Sequence, residues 1–176
     1  MKYAAAVALL LLGASPAFAD DAADMKTTAA SFYTVVVSDK TGGIPDAKMM
    51  ARYTPLSSAA LIAGLKQAAT AEARFASRNK NSPPLVEGNV FTSLFEGATG
   101  FTVTGCEAHG AQGQCSIALT YQDKSGKPTS WTDKLLLTKE AGGWRADDIA
   151  YGGNWPFANS GMLRDTLKIA IGMSGK

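Results

Sequence analysis

The hydrophobic period of this chain changes near its middle, and this change constrains the fold more than any other feature. Between residues 25 and 78, apolar residues recur at every third or fourth position, as on one face of a helix. From residue 101 onward they alternate with polar residues, as on a strand with one buried face. Helices first and strands afterwards predict an α+β domain, in which helices pack on one face of a twisted antiparallel sheet of about four strands.

Turn residues divide the helical half. Gly42-Gly43-Ile44-Pro45 ends the first helix, where Val35-Val36-Val37 leaves a strand open as an alternative. Asp46 then suits the N-cap of a short helix. Helices are predicted from about Met25 to Val36, from Asp46 to Tyr53, from Ser57 to Arg78 with Leu61, Leu65 and Phe75 facing the core, and C-terminally from near Ser160.

Four strands are predicted at 101–103, 117–121, 131–137 and 144–149. Cys106 and Cys115 lie between the first two, joined by the Gly-rich segment 107–114. We expect a disulfide that closes a hairpin, because a redox-active pair is typically spaced C-x-x-C. If the cysteines are directly opposite, Phe101 and Val103 share a face with Thr120 and Ala118, while Ile117 and Leu119 lie on the other face. A bulge or an offset loop would resolve this conflict and is therefore expected.

The first nineteen residues have the pattern of a cleaved export signal. Met1-Lys2 is basic, Ala4 to Leu12 is apolar, and Ala17-Phe18-Ala19 offers small residues before a cleavage site at Asp20. The apolar run is shorter than the roughly 20 residues that span a bilayer. We therefore expect a single domain at 20–176, periplasmic or secreted, with no membrane anchor after cleavage.

Several classes of chemistry lack the residues that they need. The one histidine, His109, lies between the cysteines in the Gly-rich segment expected to form a hairpin loop. A Ser/Cys-His-Asp triad or a zinc site needs fixed geometry, which a flexible loop does not provide. No glycine-rich phosphate-binding motif follows a strand. The 17 cationic and 15 anionic residues are nearly balanced, which is unlike a nucleic-acid-binding surface. We expect no metal, no cofactor and no nucleic acid.

Acidic and aromatic residues remain as candidates for contact with a ligand or partner. Two carboxylates that converge in an apolar pocket could serve as general acid and base, whereas the plain alternative is that they form caps, ion pairs or solvated surface. Aromatic residues could form a stacking wall or simply fill the core. The candidates are Glu87, Glu96, Asp147, Asp148, Tyr151 and Trp155, the last of which follows a Gly-Gly-Asn loop; Trp131, Trp144 and Phe157 are weighed beside them.

Two segments carry a resemblance to a known family. They are Pro83 to Gly97, which reads PPLVEGNVFTSLFEG, and Gly143 to Ile149, which reads GWRADDI and is followed by Tyr151. Over roughly residues 25–170 the chain resembles the NTF2-like superfamily, and within it the secreted bacterial families of uncharacterised function related to the DUF3828 domain. The resemblance implies a curved sheet wrapped around a long helix, with a pocket at the open end of a cone, and it supplies no catalytic residue.

Three hypotheses of function follow. The first is a periplasmic binding or interaction module, in one version an inhibitor or immunity-type partner of a cell-wall enzyme that is contacted through Trp155 and residues 152–159. The second is a small isomerase or dehydratase that uses Asp147 or Asp148 with Glu87 or Tyr151. The third is a scaffold that forms a homodimer through the open sheet face. The ligand or envelope partner is unknown in each case.

Overall fold

The computed structural model describes residues 16–124 and 126–173, with side chains from residue 20, and it confirms the α+β class. The predicted export signal lies mostly outside the described residues, and its cleavage site falls in the first turns of the first helix. In chain order the elements are helix α1 (Pro16–Ser38), α2 (Ala47–Tyr53), a 3₁₀ turn (Thr54–Leu56), α3 (Ala59–Arg78), strands β1 (Gly100–His109), β2 (Gln112–Tyr121), β3 (Thr129–Glu140) and β4 (Gly143–Ala150), and helix α4 (Leu163–Met173).

The predicted helices form, and caps fix where two of them begin. The Asp46 carboxylate accepts a hydrogen bond from Met49 N at 2.8 Å, and the Ser58 hydroxyl accepts one from Leu61 N at 3.0 Å. Along α1 the residues at 25, 29, 32 and 36 are buried at helical spacing, so the three valines at 35–37 belong to a helix rather than a strand. Leu61 and Leu65 are fully buried as expected, whereas Phe75 is only half-buried near the end of α3.

The sheet is antiparallel, with its strands in chain order. Cys106 and Cys115 are directly opposite and form the predicted disulfide, with their Cα atoms 4.1 Å apart. A bulge between Val103 and Gly105 shifts the register, so that Val103 faces Ile117 and the apolar residues share one face. The strands are longer than predicted: most of the segment expected to be a loop is paired, and only residues 110 and 111 make the turn.

The core lies between the inner face of the sheet and the helices. On that face Cys115, Ile117, Leu119, Leu135 and Leu137 are fully buried. Helix α1 packs across the sheet, while α3 packs with α4 beside β4. Three aromatic rings of this core pack against one another, with centroids 4.4–5.7 Å apart among Phe32, Tyr53 and Phe91.

The first half of β4 is tied to segments outside the sheet. Ser58 N donates to Ala146 O at 2.7 Å, so the segment before α3 covers this edge of the sheet. Asp21 on α1 accepts hydrogen bonds from Lys139 Nζ at 2.6 Å and from Trp144 Nε1 at 2.9 Å, and these partners lower its pKa. Among the described helices, none combines the length and apolar character that crossing a membrane requires.

Candidate functional site

A buried carboxylate joins two loops at one end of the sheet. Asp133 lies on β3 among the inward-facing residues and is fully buried. It accepts hydrogen bonds from Ser93 N at 2.9 Å, from Trp131 Nε1 at 3.0 Å and from Gly152 N at 2.8 Å, and a further one from the Ser93 hydroxyl. An ionised carboxyl group is acceptor-only, and these four donors satisfy both of its oxygens. Asp133 therefore holds loop 88–97 against loop 151–159.

Other hydrogen bonds reinforce the contact between these loops. The Tyr151 hydroxyl donates to Val90 O at 2.6 Å, and Gly153 N donates to the Ser93 hydroxyl at 2.9 Å. The Asn159 amide donates to Asn89 O at 2.9 Å and to Thr92 O at 2.8 Å. Because side chains and backbone of both loops are paired, the loops form a preorganised support for whatever residues they expose.

The supported loops present aromatic residues to solvent. We call the surface formed by Leu94, Phe95, Trp155, Pro156 and Phe157 the aromatic surface. The Phe95 side chain is 51% exposed and Phe157 is 98% exposed, while Trp155 is half-buried with its ring 5.8 Å from that of Trp131. Exposed large apolar residues that lie next to each other indicate an interaction site more often than single ones do.

Backbone conformation holds this exposure in place. Phe157 has φ 68°, in the left-handed region that bulky residues rarely adopt and that costs about 1–3 kcal/mol. Gly88 has φ 70°, and a Cβ atom there would lie 2.5 Å from the Phe95 ring. A Cβ atom at Gly153 would lie 2.7 Å from the Trp155 ring. Both glycines are therefore needed for the aromatic rings to sit where they do.

Phe95 lines two surface cavities. One, of about 380 Å³, is lined by the aromatic surface and Glu96. The other, of about 370 Å³, lies between residues 41–44 and 84–88 and includes Glu72 and Glu87. Both Glu72 carboxylate oxygens accept from Leu85 N, at 3.0 and 3.1 Å, whereas Glu87 and Glu96 are exposed. None of the residues lining either cavity is Lys or Arg.

The two aspartates predicted as site residues lie on β4 beside α4. Asp147 accepts from the Ser58 hydroxyl at 2.6 Å and forms an ion pair with Arg164 at 3.0 Å. Asp148 accepts from Ile149 N at 2.8 Å and from Arg164 N at 3.0 Å. Burial raises the pKa of Asp148, and the two backbone hydrogen bonds oppose this effect. Both carboxylates therefore serve the junction between β4 and the start of α4.

The other predicted site residues lie elsewhere. Glu87 and Glu96 line different cavities, and Trp155 lines the same cavity as Glu96. Burial raises the pKa of Tyr151 and the Asp148 charge adds to this, so the phenol stays protonated and donates to the loop backbone. The structure brings together Trp155 and Glu96, and it does not bring the acidic residues into one pocket with Tyr151.

A second phenol, that of Tyr33, is fully buried in the core. No described residue makes a hydrogen bond with its hydroxyl. Burial raises the pKa of Tyr33, and the nearby Asp133 charge raises it further. Tyr33 lines neither of the two cavities. Its ring packs 5.6 Å from that of Phe32, centroid to centroid, as part of the core.

Several residues of this site were missed in the sequence. Asp133 carried a signal, because it interrupts the inward-facing series Trp131, Leu135 and Leu137 at the same alternating positions. A polar residue at such a position must find buried partners, which marks it as structurally important. Phe95 carried no comparable signal, since an apolar residue within an apolar segment is usually buried.

Comparisons with known proteins found no match, whether with family models, curated proteins or solved structures. In residues 16–124 and 126–173, no group of three or more His, Cys, Asp or Glu residues is placed to hold a metal ion.

Proposed function

We propose that this protein is an extracytoplasmic, non-catalytic binding module related to the NTF2-like domains, and that it binds through its aromatic surface. The observation that carries the proposal is the pair Phe95 and Phe157, exposed on loops that Asp133 and Asn159 hold together. Burying such rings against a ligand releases about 25 cal/mol for each Å² of apolar surface. Rigid supporting loops reduce the entropy that binding would otherwise cost.

The disulfide supports the extracytoplasmic part of the proposal. Cys106 and Cys115 are bridged, and such bridges persist in oxidising compartments such as the periplasm or the exterior of the cell. This agrees with the export pattern at residues 1–19.

The alternatives from the sequence have less support. Asp147 and Asp148, proposed for acid/base chemistry, are engaged with Ser58, Arg164 and backbone amides. None of Asp147, Asp148 and Tyr151 lines the cavity that contains Glu87. The outer sheet face, the surface for a homodimer, carries mainly small polar residues such as Thr102, Ser116 and Thr132. Stable homodimer interfaces are usually more apolar than this.

A thermal-shift screen with defined probe classes tests the proposal. The purified protein is heated with short peptides, chito-oligosaccharides, fatty acids or alkylamines, and its melting temperature is measured. At a hundredfold excess over Kd, a probe that binds only the folded state raises the melting temperature of a domain of this size by roughly 5–10 °C. We expect one class to do so, and to lose the effect in the double variant Phe95→Ser/Phe157→Ser.

The matched control is Ile169→Ser/Met173→Ser, which removes two exposed apolar side chains from α4 instead. We expect this variant to keep the shift. If no probe class raises the melting temperature, or if the aromatic double variant responds as the wild type does, the proposal is wrong.

A further inference from the structure

The charges around the aromatic surface narrow the chemistry of its ligand. Glu96 lines the same cavity as Trp155 and Phe157, and Glu87 lines the neighbouring cavity, which shares Phe95 with it. Both carboxylates are exposed, and no cationic residue lines either cavity. The local charge is therefore negative on a chain whose net charge is only +2. Such a surface attracts cations and repels anions.

The side chains around the cavity that contains Glu96 also argue against a polyhydroxylated ligand. Five of its six lining residues are Leu, Phe, Trp or Pro, and the sixth is Glu96. Hydroxyl groups need donors and acceptors in pairs, and buried polar groups without partners cost free energy. Only the Trp155 indole is a side-chain donor here. An apolar group is the better complement to this cavity.

The arrangement of the two cavities suits an extended chain. Each has a volume of about 370–380 Å³, and the two are neighbours because Phe95 lines both. An extended peptide can place one side chain in each, because alternate side chains of a strand are about 7 Å apart. Gly42, Gly43 and Gly88 line the cavity that contains Glu87. Because these residues have no side chains, a peptide in this cavity can approach their backbone closely.

We propose that the aromatic surface binds an extended peptide segment of a partner protein in which lysine or arginine stands two residues before or after an apolar residue. The apolar side chain packs among Phe95, Trp155 and Phe157, and the cationic side chains pair with Glu96 and Glu87. The guanidinium of Arg or the ammonium of Lys can also lie over an aromatic ring, which adds a cation–π contact. This proposal rests on the proposed function and specifies the partner. An anionic membrane is disfavoured because both glutamates would face its headgroups.

A titration followed by amide NMR tests the partner chemistry. The probes are a blocked hexapeptide in which leucine and lysine stand two residues apart and glycine fills the other positions, the same peptide with glutamate for lysine, the same peptide with serine for leucine, chitotetraose, and vesicles of phosphatidylethanolamine and phosphatidylglycerol. We expect only the lysine-leucine peptide to shift the amide signals of Phe95, Glu96, Trp155 and Phe157. We also expect its Kd to rise about five- to tenfold in Glu87→Gln/Glu96→Gln.

The matched control is Glu107→Gln, which neutralises an exposed glutamate on β1, away from both cavities. We expect this variant to bind like the wild type, and we expect added salt to weaken binding. Equal binding of the glutamate peptide, or an unchanged Kd in the double glutamine variant, would overturn the proposal. Signal changes caused by chitotetraose or vesicles but not by the lysine-leucine peptide would also overturn it, while leaving the aromatic surface as a binding site. If no probe acts here or in the thermal screen, both proposals fail.

Discussion

At the scale of single residues, the protein depends on buried polar groups that have found their partners. Asp133 is the clearest example, because four donors from three positions converge on one carboxylate. Burying a charge is expensive unless hydrogen bonds replace the lost water. Once they do, removing one member leaves the others unsatisfied. The loops that carry the aromatic surface are thus coupled to one side chain on β3.

We expect Asp133→Asn to lower the free energy of unfolding by about 3–5 kcal/mol. The asparagine oxygen can accept two of the hydrogen bonds, but its NH₂ group would face the remaining two donors. Urea denaturation followed by tryptophan fluorescence measures the loss. The exposed Asp165→Asn variant on α4 is the control and should stay within about 0.5 kcal/mol of the wild type. A loss of less than about 1 kcal/mol in Asp133→Asn would contradict the role assigned to this carboxylate.

Asp148 predicts a dependence on pH of the opposite kind from most carboxylates. Burial raises its pKa in the folded protein, so folding disfavours the ionised form. The Asp148 carboxyl group therefore contributes most to stability below its unfolded pKa of about 3.9. This contribution is lost as the pH rises through the higher pKa of the folded state. An asparagine side chain at this position would keep both backbone hydrogen bonds through its oxygen.

We therefore expect Asp148→Asn to be more stable than the wild type at neutral pH, with the difference shrinking as the solution is made acidic. Urea denaturation of both proteins at a series of pH values from neutral to acidic measures this difference in stability. Asp24→Asn, an exposed residue of α1, is the control and should show no such trend. A variant that is less stable than the wild type at neutral pH would show that the Arg164 contacts outweigh burial.

At the scale of elements, the β1–β2 hairpin shows how a bulge and a disulfide fit together. The extra residue at Thr104 lets Cys106 pair with Cys115 while Phe101 and Val103 still face the core. Without the bulge, the direct cysteine pair would turn these two apolar side chains to the other face. The disulfide therefore lies within a register that the hydrophobic pattern also requires.

We expect Cys106→Ser/Cys115→Ser to lower the free energy of unfolding by about 2–3 kcal/mol, because the bridge closes a loop of about ten residues in the unfolded chain. Urea denaturation without reductant measures this. Wild-type protein with reductant present should lose a similar amount, and the double variant should be indifferent to reductant. If reductant leaves the wild type unchanged and the variant is equally stable, the bridge contributes nothing.

At the scale of the whole molecule, one continuous core joins the helices to the sheet, and the exposed aromatic residues lie at its surface. The core cluster runs continuously from α1 through the sheet to α4. Two loops at one end of the sheet then carry the exposed rings, and the acidic residues beside them give that end its charge. Binding at such a surface is compatible with a rigid fold, since no internal cavity has to open.

The sequence by itself determined much of the architecture. The change of hydrophobic period predicted the α+β class, the helices and the antiparallel strands, because local periodicity reflects which face of an element is buried. It also predicted the Cys106–Cys115 bridge, since the spacing and the turn residues between the cysteines are local. Strand ends were predicted less well, because pairing across the hairpin extends β1 and β2 beyond their apolar residues.

Only the tertiary structure decided which residues form the candidate site. Glu96 and Trp155 were named from the sequence, but their common cavity depends on two loops that are about sixty residues apart along the chain. Asp147 and Asp148 had the right chemistry, and the structure pairs them with Arg164 and backbone amides instead. Convergence of side chains depends on long-range packing and on buried hydrogen bonds such as those of Asp133. Periodicity carries no information about such contacts, because it describes a residue's face and not its distant neighbours.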